Sequence, residues 1–252
     1  FVHLFSTFFM KAYRPPRELT WLTGLALMGL TLVFGFSGYL LPWDDLSFFA
    51  TRVGISELEK APVVGQWAAD LIRGGPDVTV DTIGRFYPLH VVVLPLAVLA
   101  LVGVHLLFVQ VQGVSEPDCF AALPPDRRRY HGFFSEFLVG ELLVWLCLAT
   151  LLAALAAMLP RALAPEADPA AAAPAGIKPE WYFLAQYQAL KLFPGRLEVL
   201  GQLVLGVVPA LLAVVPLIDR QIPADQRARQ VTAAGLLAAF GLVAMTLWGW
   251  LS

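Results

Sequence analysis

The sequence predicts an all-α integral membrane protein, a transmembrane helical bundle. Three observations carry that. Hydrophobic residues make up 58% of the chain and charged ones 14%, with a mean hydropathy of +0.71, far from the balance of a soluble domain. Uninterrupted apolar runs recur, and roughly 20 such residues suffice to cross a bilayer. Inside lipid each backbone polar group needs an internal partner, so runs of this length mean helices rather than sheet. A net charge of -2 argues against nucleic acid as a partner.

The chain has no initiator Met and opens inside an apolar segment, so an incomplete start is expected. FVHLFSTFFMKAY reads as the last turns of a membrane helix ending in the basic residues Lys11, Arg14 and Arg17. His3 sits near that end and, taken alone, suits an interfacial histidine. Two prolines in AYRPPRE break the helix. A second run spans about Leu19 to Leu41 and closes in GYLLPWDD. Gly24 and Gly38 lie fourteen residues apart within it. Small residues in membrane helices allow close helix packing; these two equally leave room for two flat macrocycles, and spacing alone does not choose. From Asp44 to Arg85 the chain leaves the membrane, with SFFATRVGISELEK and VGQWAADLIRG expected as short amphipathic surface helices.

The stretch from Arg85 to Gln110 follows, apolar from Phe86 onward and interrupted by His90 and His105. On a straight helix these stand roughly 22 Å apart along the axis and about 60° apart around it, so both can face one interior side, with Pro95 free to bend the segment. Ionisable groups at membrane depth are rare and usually functional. Two readings stand: histidines hydrogen-bonded to neighbouring helices, or axial ligands of two stacked haems completed by imidazoles from another helix. The loop after this helix carries Arg127, Arg128 and Arg129, with His131 expected in solvent. A further span runs from about Phe134 to Met158. The Pro/Ala-rich ALAPEADPAAAAPAG is expected as an unpacked linker. IKPEWYFLAQYQALKLFPG is too short and aromatic for a crossing, and spans at about Leu200–Ile218 and Val231–Leu251 close the chain. The total is five crossings and the tail of a sixth helix, divided into a histidine-bearing N-terminal region, 1–159, and a C-terminal region, 160–252. Nine of the seventeen Lys and Arg fall in the short loops at 11–17, 127–129 and 220–229, which the positive-inside rule places on the inner face. Cys119 and Cys147 form no CxxC or CxxCH pattern, so neither covalent haem nor a dithiol site is indicated.

GYLLPWD, RFYPLH with a second histidine fifteen positions later, and KPEWYFL, in that order, resemble cytochrome b of the quinol–cytochrome c and quinol–plastocyanin oxidoreductases. The resemblance runs from His3 to about Arg220 and weakly beyond. It implies two b haems: a low-potential outer one held by His90 with a partner preceding Phe1, and a high-potential inner one held by His3 and His105. Gly24 and Gly38 would pack against the haems. Arg85 would pair with an outer propionate, and Arg14 or Arg17 with an inner one. Fourteen residues between the helix histidines resemble the chloroplast-type and some bacterial branches, whereas the fused PEWY region departs from the split chloroplast arrangement.

The resemblance further implies quinol oxidation at the outer side, where a proton acceptor must reach from a dry pocket to water. Glu180 suits it, since partial burial favours a carboxyl as general base. Pro179 would hold the turn, Trp181, Tyr182 and Phe183 would wall the ring pocket, and Tyr39 and Phe36 would stand opposite. Ala50 occupies a position where mitochondrial relatives carry glycine, so a different inhibitor response is expected. At the inner quinone site, Gln110 stands where mitochondrial relatives have histidine, which leaves Glu136 or His131 to supply protons. The implied protein is the dihaem subunit of a Rieske-type electron-transport complex in an energy-transducing membrane, such as the bacterial cytoplasmic membrane. One quinol electron goes to a Rieske iron–sulfur protein and the other crosses to an inner quinone, coupled to proton translocation. A c-type cytochrome and a homodimer are implied partners. The competing readings are a dihaem anchor of a dehydrogenase or hydrogenase, and a transporter with intramembrane histidines.

Overall fold

A computed structural model describes residues 1–160, 162, 164–221 and 224–252, without the side chains at 118, 221 and 224–228. The side chain of Arg227, counted among the basic residues of the last loop, and Leu163 of the expected linker thus lie outside what is described. Among the described residues five segments are long and apolar enough to cross a membrane: Glu18–Tyr39, Val80–Gln112, Phe133–Met158, Gly195–Arg220 and Arg229–Leu251. These are the five expected crossings, and a short helix, α1 (Val2–Phe9), precedes them. The protein is an integral membrane protein, all-helical among the described residues.

Two compact units divide the chain: Phe1–Ser115 with Glu166–Ser252, and Glu116–Pro165. In the first unit α2 (Glu18–Tyr39) starts just after the Pro15-Pro16 break, with Glu18 in its first turn where the helix dipole favours an anion. Past its end, α3 (Asp45–Glu59) opens on a capping box in which the Asp44 carboxylate accepts from the Ser47 N–H at 2.8 Å. Helix α4 (Gly65–Arg73) ends on Gly74 at a φ of 85°, a left-handed position glycine takes without strain. A second capping box, Thr79 with Thr82, starts α5 (Val80–Pro88).

The long span is not one regular helix. Between α5 and α6 (Leu94–Gln112) lies a single π turn, Leu89–Val93, that contains His90. Pro95 has no N–H to return to the preceding turn, and the Leu94 N–H bonds five residues back to the Leu89 carbonyl. In the segment that Pro95 was free to bend, the structure places a π turn just before it. Helix α9 (Trp181–Lys191) packs against α11 (Ala224–Leu251) and α10 (Glu198–Gln221), while α2 packs against α6 and α10.

The tightest packing is not among the spans. Leu40, Phe48, Phe49, Ile55, Ala69, Val78 and Phe86 form a buried cluster in a cap made by α3, α4, the end of α2 and the start of α5. The spans present leucine, valine and alanine outward, as lipid contact allows. Ala167 joins the cap cluster, its N–H bonded to the Trp43 carbonyl at 2.9 Å, and the Asp168 N–H reaches Asp45 Oδ1 at 3.0 Å. This corrects the expectation of an unpacked linker. An alanine-rich segment can lie against the aromatic cap and hand its backbone donors to the α2–α3 corner.

The second unit holds a short helix, α7 (Asp118–Ala121), a π turn at Phe133–Leu138, and α8 (Val139–Met158), whose side chains are exposed within the isolated chain. His131, exposed as expected, pairs with Glu136 at 2.9 Å.

Candidate functional site

Two stations lie along the contact between α2 and the span that carries His90 and His105. At the end near GYLLPW, His90 Nδ1 lies 3.0 Å from Ser37 Oγ, and an added Cβ on Gly38 would stand 2.6 Å from the His90 ring. At the basic end, His105 Nδ1 lies 2.9 Å from Thr23 Oγ1, and a Cβ on Gly24 would stand 3.3 Å from the His105 ring. In this structure each glycine thus clears an imidazole of the opposing helix. Of the two readings left open by spacing, the structure realises the close approach of the helices at the glycines.

The histidines are fifteen positions apart and their α2 partners fourteen. On straight helices that difference would turn one station by about 100° relative to the other. The π turn at Leu89–Val93 takes up one extra residue and lets both imidazoles meet α2.

At the basic end, His3, His105, Gly24, Arg17, Thr7 and Thr20 line a cavity of about 370 Å³. These residues fit a haem: two imidazoles border one space, a glycine keeps the α2 wall flat, and a guanidinium lies at the rim. Arg17 holds its place by donating to the carbonyls of Gly113 and Val114 at 2.9 and 3.0 Å. Arg14, the alternative propionate partner, instead pairs with Asp219 at 2.7 Å, a carboxylate only 2% exposed. Arg85 is also turned elsewhere, lying beside Gly74 and donating to the Leu71 carbonyl. Gln110 is exposed and does not line this cavity, whereas Gln112, two residues on, accepts from Thr20 Oγ1 at 2.6 Å.

At the other end lies a larger cavity, about 530 Å³. Pro179, Glu180, Tyr182 and Phe183 form one wall, Phe36, Tyr39 and Ala50 the other. Phe36 and Phe183 meet edge to face, centroids 6.4 Å apart. Gly35 is what lets Tyr182 in, since a Cβ there would stand 2.9 Å from the ring. Burial, and secondly the charge of Glu180, push the Tyr182 phenol above its usual value, so it remains a neutral hydroxyl donor.

Two expectations need correction here. Trp181 does not line the cavity: it is 57% exposed and packs on Phe1 at 6.0 Å. Neighbouring helical residues point about 100° apart, and the face that enters the cavity is Tyr182, Phe183, Gln186, Tyr187 and Leu190. Glu180 is exposed rather than partly buried, because it is the N-cap residue of α9 and sits at the cavity mouth. Sequence reasoning also passed over Glu57, which lines the same cavity. Its carboxylate accepts from Lys60 at 2.8 Å and from Gln202 at 3.2 Å, and the bond to Glu57 raises Lys60 above its usual value.

Two family models match, described as cytochrome b(N-terminal)/b6/petB over residues 1–166 and cytochrome b(C-terminal)/b6/petD over residues 166–252. The cytochrome b subunit of a cytochrome bc complex from Chlorobaculum thiosulfatiphilum is 45% identical over 247 residues, which are 96% of this chain and 57% of that protein. A menaquinol:cytochrome c reductase cytochrome b subunit from Bacillus subtilis (strain 168) is 41% identical over 118 residues, 46% of this chain and 53% of that one. Cytochrome b6 of Heliobacterium mobile is 38% identical over 117 residues, 46% of this chain and 55% of that one. The chain thus spans little more than half the length of these relatives. A solved hyperthermophilic respiratory Complex III has a chain matching 99% of this one and 74% of its own length, with a TM-score of 0.71 and 25% identity.

Proposed function

The chain belongs to the cytochrome b family, a haem-binding family of electron-transport oxidoreductases, and on that premise we propose that it oxidises quinol in the larger cavity and delivers the two electrons along separate routes. The observation that carries this reading is the cavity between the PEWY segment and the end of α2. Aromatic and aliphatic side chains shape it for a planar, apolar ring with a tail, and its few polar groups include the carboxylates of Glu180 and Glu57. The quinol head group lies between Phe36 and Tyr39 on one side and Tyr182 and Phe183 on the other.

Glu180 takes a quinol proton. Its position at the helix N-cap, exposed yet lining the cavity, lets it turn between the ring and water without moving the backbone. Pro179 fixes the turn before it, Tyr182 stays protonated and orients the ring, and Trp181 anchors α9 from outside. Haem, when bound, supplies one-electron transfer at each of the two stations. His3 and His105 would hold one at the basic end, where Arg17 would offset its negative charge, and His90 would give one imidazole to the other. Gly38 and Gly24 keep α2 thin enough for those rings.

One electron leaves to a Rieske iron–sulfur protein, and the other crosses the membrane to a quinone at the basic, inner end. Protons are released outside and taken up inside. The chain works in a homodimeric complex with that iron–sulfur protein and a c-type cytochrome. Residues 1–159 hold the electron carriers and 160–252 complete the quinol site.

The test is quinol oxidation by the complex carrying Glu180→Gln. A positioned base contributes about 10²–10⁴-fold, so the rate should fall at least about a hundredfold while b absorbance is retained. Unchanged turnover would remove Glu180 from the mechanism.

A further inference from the structure

We infer that Thr23 and Ser37 are positioning residues for the two histidines of the long span: each hydroxyl accepts the Nδ1 hydrogen of one imidazole and leaves its Nε2 lone pair free for iron. This rests on the ligation proposed above for His105 and His90, and goes beyond it by assigning tautomer and electronic tuning to α2.

Hydrogen-bond bookkeeping supports the tautomer. A hydroxyl has one hydrogen to give and two lone pairs to accept with. Thr23 Oγ1 lies 2.9 Å from the Leu19 carbonyl and 3.0 Å from that of Thr20, oxygens that only accept. Ser37 Oγ lies 3.2 Å from the Phe34 carbonyl. With the hydroxyl hydrogen committed to its own helix, the contact to each histidine has one remaining polarity, Nδ1–H toward oxygen. Ser37 is 1% exposed, so its hydroxyl has no water to turn to, and an unpartnered polar group there would be costly.

The arrangement occurs twice. Thr23 precedes Gly24 and Ser37 precedes Gly38, and in both pairs the hydroxyl meets Nδ1 while the glycine clears the ring. Fourteen residues separate the pairs, and the π turn brings histidines fifteen apart into that register. A chance contact would not repeat with both members of the pair in the same roles. Donation from Nδ1–H makes an imidazole more electron-rich, which favours the oxidised iron and lowers its potential.

The experiment is a redox titration of b absorbance in the assembled complex carrying Ser37→Ala or Thr23→Ala, beside Ser37→Thr and Thr23→Ser. Each alanine variant should raise the midpoint of one component, a different one in each. The expected change is up to about tenfold in the reduction equilibrium, or about 59 mV for one electron. The hydroxyl-retaining variants should titrate as the parent does. Loss of one component in an alanine variant, with retention in its hydroxyl-keeping counterpart, supports the inference equally. Unmoved potentials with both haems bound overturn it, as do the same component shifting in both alanine variants, or equal loss in the alanine and hydroxyl-keeping forms. Absence of b absorbance in the parent complex would instead strike the ligation reading itself.

Discussion

The two ends of the α2–α6 contact share one design and differ in what surrounds it. At each, a hydroxyl and a glycine on α2 meet a histidine. Beyond that, the basic end offers a second imidazole and a guanidinium, His3 and Arg17, around its cavity. The other end offers aromatic walls and two carboxylates, Glu180 and Glu57, and is backed by the only tightly buried apolar cluster among the described residues. The difference teaches how one repeated device serves two tasks. A carboxylate at a cavity mouth, as Glu180 is, suits proton release from a bound ring, whereas cationic and imidazole groups suit holding an anionic-edged cofactor. The packed cap also separates the two ends: the larger cavity is backed by soluble-type packing, and the lipid-exposed spans have little of it.

Glycine substitution breaks the symmetry most strongly. The Cβ of Gly38→Ala would stand 2.6 Å from the His90 ring, where something must shift, while that of Gly24→Ala would stand 3.3 Å from His105. Gly38→Ala is expected to lose or grossly shift one b component, and Gly24→Ala to retain both with a smaller shift, read as haem-to-protein ratio and visible spectrum. Equal losses would show that the two stations are not packed differently.

Next in size is the ion pair that ties the basic end to α10. Arg14→Ala would leave Asp219, 2% exposed, without that partner. Breaking a buried pair costs about 3–5 kcal/mol; with Arg14 30% exposed the lower figure applies, about 3 kcal/mol, seen as a lowered melting temperature of the complex. A partial rescue by Arg14→Lys would mark the effect as charge rather than packing. The smallest effect belongs to the cap: Asp44→Ala removes the α3 capping box and should cost about 1 kcal/mol. Quinol affinity should then weaken slightly, because α3 carries Ala50 and Glu57 into the cavity wall, and haem content should stay unchanged.

The crossings were legible in the sequence because lipid imposes one rule, and a run of apolar residues obeys it visibly. That His90 and His105 share a side was suggested by their spacing, though their register on α2 depends on the π turn, and the cavity walls were suggested by the resemblance that GYLLPW and PEWY carry. What escaped depends on side-chain direction and on contacts distant in sequence. Trp181 was assigned to the pocket with its neighbours because a motif names residues without saying which way each points around α9. Glu57 stood in a segment read only as amphipathic, and its place in the cavity comes from the fold of α3 against α10. Arg14 and Arg17 looked alike until Asp219, two hundred residues away, took the first. Thr23 and Ser37 carried a findable signal, the same hydroxyl–glycine pair repeated at fourteen residues, but it means little until the histidines opposite are known to share that register. The π turn at His90 had a proline on each side, Pro88 and Pro95, as its visible trace.

The central claim, that this chain holds two electron carriers at unlike stations, is tested most directly by a reduced-minus-oxidised visible spectrum of the parent complex with a redox titration. The account predicts two b-type components of distinct potential. A single component, or no b-type absorbance in an intact preparation, would contradict it.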